Sequence, residues 1–115
     1  MRDRINDPER LHLMLEEIAN IEEFLCGVFS CDDFINNKLL CHAVIYNLQC
    51  IGENVYRLSR EYIQQHPEMD WESIEGLRHV LVHDYYTVNM EMVWMILQKD
   101  LPGLKSFLAG PAAGV

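Results

Sequence analysis

Apolar residues recur along this chain at intervals of three and four. Leu11, Met14, Leu15, Ile18, Ile21, Leu25 and Val28 form the first such stripe, with Glu16, Glu17, Glu22 and Glu23 largely opposite, which predicts an amphipathic helix of about six turns. Asp7-Pro8-Glu9 supplies its start, with Asp7 as N-cap, Pro8 in the first turn and Glu9 at the positive end of the dipole. Ser30-Cys31-Asp32-Asp33 interrupts the stripe and caps a short helical segment. A long helical stretch is then predicted from about Asn37 to Gln65, ending before Pro67, with Gly52 as a close-packing point inside it. Asp70-Trp71-Glu72-Ser73 restarts a helix that turns Ile74, Leu77, Val80 and Leu81 inward. Asn89 caps a fourth, containing Met92, Val93, Met95, Ile96 and Leu97, which Pro102 and Gly103 kink or split.

Strand-like alternation of useful length and internal repeats are both missing from the sequence. The expected fold is therefore all-α: an antiparallel bundle of four main helices with short connections and a short extra helical segment. A single domain is expected over residues 1–108. The tail from Ala109 to Val115 has nothing large to bury and is expected to be flexible. The six methionines, Trp71 and Trp94 are read as core or interface filling.

Composition narrows the choice of function. Half of the 115 residues are hydrophobic, enough to offset ordering entropy. No apolar run approaches the roughly 20 residues that span a bilayer, and the start, with Arg2, Asp3 and Arg4, is not a signal-peptide pattern. A cytoplasmic protein without a membrane partner is expected. Cys26, Cys31, Cys41 and Cys50 contain no Cys-x-x-Cys unit and are read as buried free thiols. A net charge of −9 works against a general electrostatic grip on nucleic acid; only a local basic pocket can hold RNA, and no DNA partner is expected.

Candidate chemistry concentrates in Arg78, His79, His83, Asp84, Tyr85 and Tyr86: a permanent cation, two groups titrating near neutrality and two phenols within nine positions. Metal-free RNA cleavage needs a base for the 2′-hydroxyl proton, a cation for the phosphorane charge and an acid for the leaving 5′-oxygen. His83 suits the first role. Arg78, whose planar fork holds two phosphate oxygens, suits the second, and the third is open. On an ideal helix, positions 78 and 83 point about 140° apart. Convergence therefore needs a helix that ends near His83 or, the reading we favour, a two-fold interface at which a second copy supplies the missing partner.

Blander readings exist for each of these residues. An Arg and a His near a helix end ordinarily are solvated or complement the dipole. Tyr85 and Tyr86 are amphipathic enough to pack at a helix end, and Tyr86 is read that way. His79 and His83 share a helical face, but no third ligand and no His-Glu-x-x-His arrangement accompany them, so neither a metal site nor a cofactor is expected. Glu53 either orients Arg78 or a histidine, or is a solvated helix glutamate. Arg57 and Arg60, one and two turns beyond it, either extend a positive pocket or only solubilise the helix.

Arg78-x4-His83-x-Tyr85 resembles the Arg-x4-6-His element of HEPN-superfamily nucleases, in the extended His-x-Tyr form of HepT toxins. Flanking residues add to the likeness: Ala43 through Glu53, Trp71, Ile74, Gly76-Leu77-Arg78, Val93-Trp94 and Asp100-Leu101-Pro102. The resemblance covers about residues 7 to 108. It implies a HEPN-like fold and a toxin that cleaves RNA without metal, dimerises through the motif region and pairs with a nucleotidyltransferase-fold antitoxin of the MntA kind. It makes Arg78 and His83 catalytic and Tyr85 the acceptor of adenylylation, with Asp84 at the variable position. Glu53, Arg57, His79 and Asp84 are candidates for supporting roles. Two positions depart from the family pattern: His79 follows the motif arginine, where a small polar residue is common, and Tyr46 stands where many HepT-like sequences carry Arg. An alternative from another class is a non-catalytic helical partner that binds and regulates a nucleotidyltransferase.

Overall fold

The computed structural model describes residues 5–78 and 89–110, and all of its regular structure is helical. The long helices are α1 (Asp7–Phe24) and α3 (Lys38–Tyr56), with the short α2 (Cys31–Ile35) between them. Two further short helices follow, α4 (Arg60–Gln65) and α5 (Trp71–Glu75). The last helical stretch comprises α6 (Met90–Met95), a π-helical turn (Ile96–Asp100) and α7 (Leu101–Ala109). The all-α, HEPN-like expectation holds, with the helices divided more finely than the sequence indicated.

The periodic apolar stripes do converge. Leu11, Met14, Ile18 and Ile21 of α1 meet Val44, Leu48, Ile51 and Val55 of α3, together with Phe34, Val93, Leu104 and Leu108, in one core. Polar contacts fix the direction of α1 against α3. Arg10 Nη1 donates to Asn54 Oδ1 at 3.0 Å, and Asn47 Nδ2 donates to Glu17 Oε1 at 2.7 Å. Early residues of one helix thus face late residues of the other, so the pair is antiparallel. Around Trp71, the rings of Tyr62, His66 and Phe107 pack within 6.0 Å of one another's centroids along a chain of four contacts, and Trp71 Nε1 donates to the His66 carbonyl. No helix among the described residues is long and apolar enough to cross a membrane.

Several local expectations are corrected. The N-cap of α1 is Asn6, one residue earlier than Asp7, and it closes a capping box with Glu9. Asp7 instead reaches a distant part of the chain, where its carboxylate accepts from Ser59 N at 2.9 Å and Ser59 Oγ at 2.6 Å. That contact explains the second correction. The helix predicted over 37–65 breaks after Tyr56, because Ser59 turns out to cap α4, held there by Asp7 and accepting from Tyr62 N. Helix α1 also ends before Val28, as the chain turns at Gly27 with φ of 86°.

The last helical stretch is split as expected just before Pro102 and Gly103, where a π turn over Ile96–Asp100 gives way to α7 at Leu101. Pro102 thus falls in the first turn of α7, where its missing N–H and fixed φ are tolerated. Of the cysteines, only Cys41 is buried; Cys26 is exposed and Cys31 and Cys50 are intermediate, although all four are free as expected. Met92 and Met95 stand half exposed on α6. The predicted inward positions Val80 and Leu81, and nearly all of the proposed tail, lie outside the described residues.

Candidate active site around Arg78

The site is built on a close approach of two helical segments. A Cβ added at Gly52 would lie 2.6 Å from the Arg78 backbone nitrogen and 3.1 Å from the carbonyl oxygens of Ile74 and Glu75. Real side chains do not tolerate such a distance to backbone, so the absence of a side chain at Gly52 lets the α5 segment lie directly on α3. Helical geometry does the rest: Glu53, Tyr56 and Arg57 flank that contact, and the Arg78 side chain lies among them.

Each part of the Arg78 guanidinium has a different neighbour. Nη1 donates to Glu53 Oε1 at 3.1 Å, and Cζ stands 3.6 Å from the centroid of the Tyr56 ring. Nε is shielded from solvent and has no hydrogen-bond partner among the described residues. Arg78 forms no other hydrogen bond among them, so no described residue engages the Nε/Nη2 edge. That edge is the side-on fork with which arginine grips two oxygens of a carboxylate or phosphate. The side chain as a whole is 22% exposed, so the cation is held in a partly desolvated setting.

Glu53 carries the second half of the network. Its Oε2 accepts from Arg57 Nε at 2.8 Å while Oε1 accepts from Arg78. Burial alone would raise its pKa, but the hydrogen bonds and charges of Arg57 and Arg78 outweigh that and hold the carboxyl below its ordinary range. With one carboxylate between two guanidinium groups, the cluster carries a net positive charge in a chain of −9 overall. This is the local basic feature that the composition required of any RNA binder.

Of the residues singled out from sequence, Glu53, Arg57 and Arg78 come together. His79, His83, Asp84, Tyr85 and Tyr86 lie outside the described residues. Arg60 does not extend the face of α3, because the chain breaks before it. Tyr46 lies two turns before Glu53, 63% exposed, and the neighbouring Cys50 pushes its phenol above the ordinary range. Tyr56 was missed by the sequence reading. The one available signal was its place one turn after Gly52, which gains meaning only once α5 is known to cross there. Among the described residues no three His, Cys, Asp or Glu side chains converge as metal ligands.

Comparison with known proteins places this geometry in a family. The model of the Ribonuclease HepT-like family matches residues 14–109, which include Gly52, Glu53, Tyr56 and Arg78. The chain belongs to the HepT-like ribonuclease family. Similar relatives agree. The protein named "Probable ribonuclease HepT" of Thermococcus cleftensis is 34% identical over 95 residues, covering 79% of this chain and 86% of its own length. "Putative RNase MJ1380" of Methanocaldococcus jannaschii is 32% identical over 95 residues, covering 83% and 86% respectively. "Putative RNase TTE0752" of Caldanaerobacter subterraneus subsp. tengcongensis is 33% identical over 95 residues, covering 83% and 84%. No solved structure matches this HepT-like chain significantly.

Proposed function

We propose that this HepT-like chain is the toxin of a two-component pair in the cytoplasm, a metal-independent endoribonuclease whose catalytic groups are Arg78 and His83. The observation that carries the reading is the Arg78 guanidinium, tied at Nη1 by Glu53 and over Tyr56, with an Nε/Nη2 edge that no described residue engages. A buried donor without a partner costs free energy unless something supplies an acceptor, and two phosphate oxygens would do so bidentately once the side chain turns to expose that edge.

In the reaction, neutral His83 takes the 2′-hydroxyl proton and the 2′-oxygen attacks phosphorus. Arg78 stabilises the charge that gathers on the phosphorane oxygens. The bond to the 5′-oxygen breaks, and that oxygen takes a proton from an acid, for which the second histidine of a homodimer formed through the motif region is the candidate. The products are a 2′,3′-cyclic phosphate and a free 5′-hydroxyl. His79 and Asp84 are supporting residues in this scheme, Arg57 through its bond to Glu53.

Control falls to Tyr85. A nucleotidyltransferase-fold partner would transfer AMP from ATP onto its phenolic oxygen, with pyrophosphate leaving and the phenolic proton lost. The added anion, close in sequence to Arg78 and His83, would fill the pocket and repel substrate phosphate. The net charge of −9 favours a second reading, in which the chain only binds and regulates the nucleotidyltransferase.

One experiment separates the two. The chain is expressed with and without a candidate nucleotidyltransferase-fold partner, weighed intact, and assayed for RNA cleavage in the presence of a chelator, alongside His83→Ala and Arg78→Ala. The ribonuclease reading expects cleavage by the unmodified chain only, a loss of roughly 100-fold or more in either variant with the helical spectrum retained, and adenylyl mass on Tyr85 after co-expression. A wild-type chain that binds the nucleotidyltransferase yet cleaves no RNA would overturn it in favour of the regulatory partner.

A further inference from the structure

An aromatic ring has two faces, and Arg78 accounts for only one face of Tyr56. The guanidinium carbon lies 3.6 Å from the ring centroid, yet the residue remains 50% exposed at the end of α3. The ring is therefore held on one face by a cation, backed by the Gly52 contact beneath Arg78, while half of the residue's surface is open to solvent. Beside it lies the Nε/Nη2 edge of the same arginine, which no described residue engages. Proteins that hold single-stranded nucleic acid combine these two elements, a cationic contact to the backbone and an aromatic face on which an unstacked base lies.

We propose that Tyr56 is the specificity-determining platform of this ribonuclease, stacking the base of a nucleotide that flanks the scissile phosphate while Arg78 holds the phosphate itself. The proposal rests on the ribonuclease reading above. It makes single-stranded RNA the substrate, because a base in a duplex has both faces covered by its neighbours and can offer neither to Tyr56. It also gives α3 a role in selection as well as in positioning: Glu53 sets the orientation of the arginine, and Tyr56, one turn on, selects what lies next to it.

The test uses the full chain and two substitutions, Tyr56→Phe, which keeps the face, and Tyr56→Leu, which removes it. Binding is measured in a His83→Ala background by anisotropy of a labelled single-stranded RNA and of a duplex of equal length, and cleavage is measured in the otherwise wild-type chain. Tyr56→Phe is expected within about twofold of wild type. Tyr56→Leu is expected to bind the single strand roughly 5- to 100-fold more weakly, with duplex binding unchanged and the cleavage defect carried in KM. An abasic nucleotide beside the cleaved bond should reproduce that loss in wild type and add nothing to it in Tyr56→Leu. Equal losses on single strand and duplex, a defect confined to kcat with the abasic penalty intact, or a changed oligomeric mass in Tyr56→Leu would each overturn the proposal. If the wild type cleaves and Tyr56→Leu matches it, the platform alone falls. If the wild type cleaves no RNA, the ribonuclease reading falls and takes the platform with it.

Discussion

At the scale of single residues, the guanidinium of Arg78 is shaped by what surrounds it. Glu53 is the residue through which that shaping is tested, because its two oxygens serve two arginines at 3.1 and 2.8 Å. Its folded pKa lies below the ordinary value, and the ion pairs responsible are present only in the folded state. Stability from this group is therefore complete above the unfolded pKa of about 4.3 and is lost as pH falls through the lowered folded value. Glu53→Gln keeps the shape and removes the charge. Its carboxylate is 40% exposed, so solvent screening limits the loss at neutral pH to under about 1 kcal/mol. Urea unfolding of both proteins across an acid pH series should show the difference shrinking once the wild-type carboxyl protonates. A gap that persists or widens in acid would mean that the pairs contribute nothing to stability.

At the scale of elements, the register of α5 on α3 decides whether Arg78 reaches Glu53 at all. Gly52→Ala sets two effects against each other. Alanine favours the helix by up to about 1 kcal/mol, but its Cβ would meet the Arg78 backbone nitrogen at 2.6 Å, and overpacking of this kind costs about 1–3 kcal/mol. The clash should win. Gly103→Ala is the natural control, since nothing lies within 4 Å of its added Cβ and only the helix-favouring effect operates. Thermal unfolding should show Gly52→Ala lowered and Gly103→Ala raised, with RNA cleavage impaired only in the former. Equal stabilisation by both would remove the close approach as the device that sets the site.

This register also marks the boundary of what the chain reveals without its fold. The apolar stripes of α1 and α3, the cap at Ser30 and the tight point at Gly52 are local or periodic signals, and all were legible. The break after Tyr56 was not, because the residue that holds Ser59 is Asp7, 52 positions away in sequence. Arg57 and Glu53 share a helix face and could be paired by spacing alone. Tyr56 could not be joined to Arg78, since that contact depends on where a separate helix crosses, and periodicity carries no information about crossings.

At the scale of the whole molecule, the difficulty is the charge of −9 against a polyanionic substrate. One net positive cluster of two arginines and one glutamate is a small counterweight, and a two-fold assembly through the motif region would place two such clusters near one cleft. The same symmetry would answer the angular problem that five positions of an ideal helix pose for this pair, if Arg78 of one subunit works with His83 of the other. Mixed dimers test this directly. Arg78→Ala and His83→Ala are each expected to be inactive, but when the two are unfolded together and refolded, half of the dimers would be mixed and each would contain one site with both groups intact. Cleavage should then return to a measurable level of at most about a quarter of the wild-type rate, by the site-counting that two-fold symmetry imposes, and below a quarter where the second His83 serves as the acid, since a mixed dimer holds only one. If Arg78 and His83 act within one subunit, mixing restores nothing, because every subunit in every dimer lacks one of the pair. The recovered fraction thus reads whether the dimer completes the site or only brings two complete sites together.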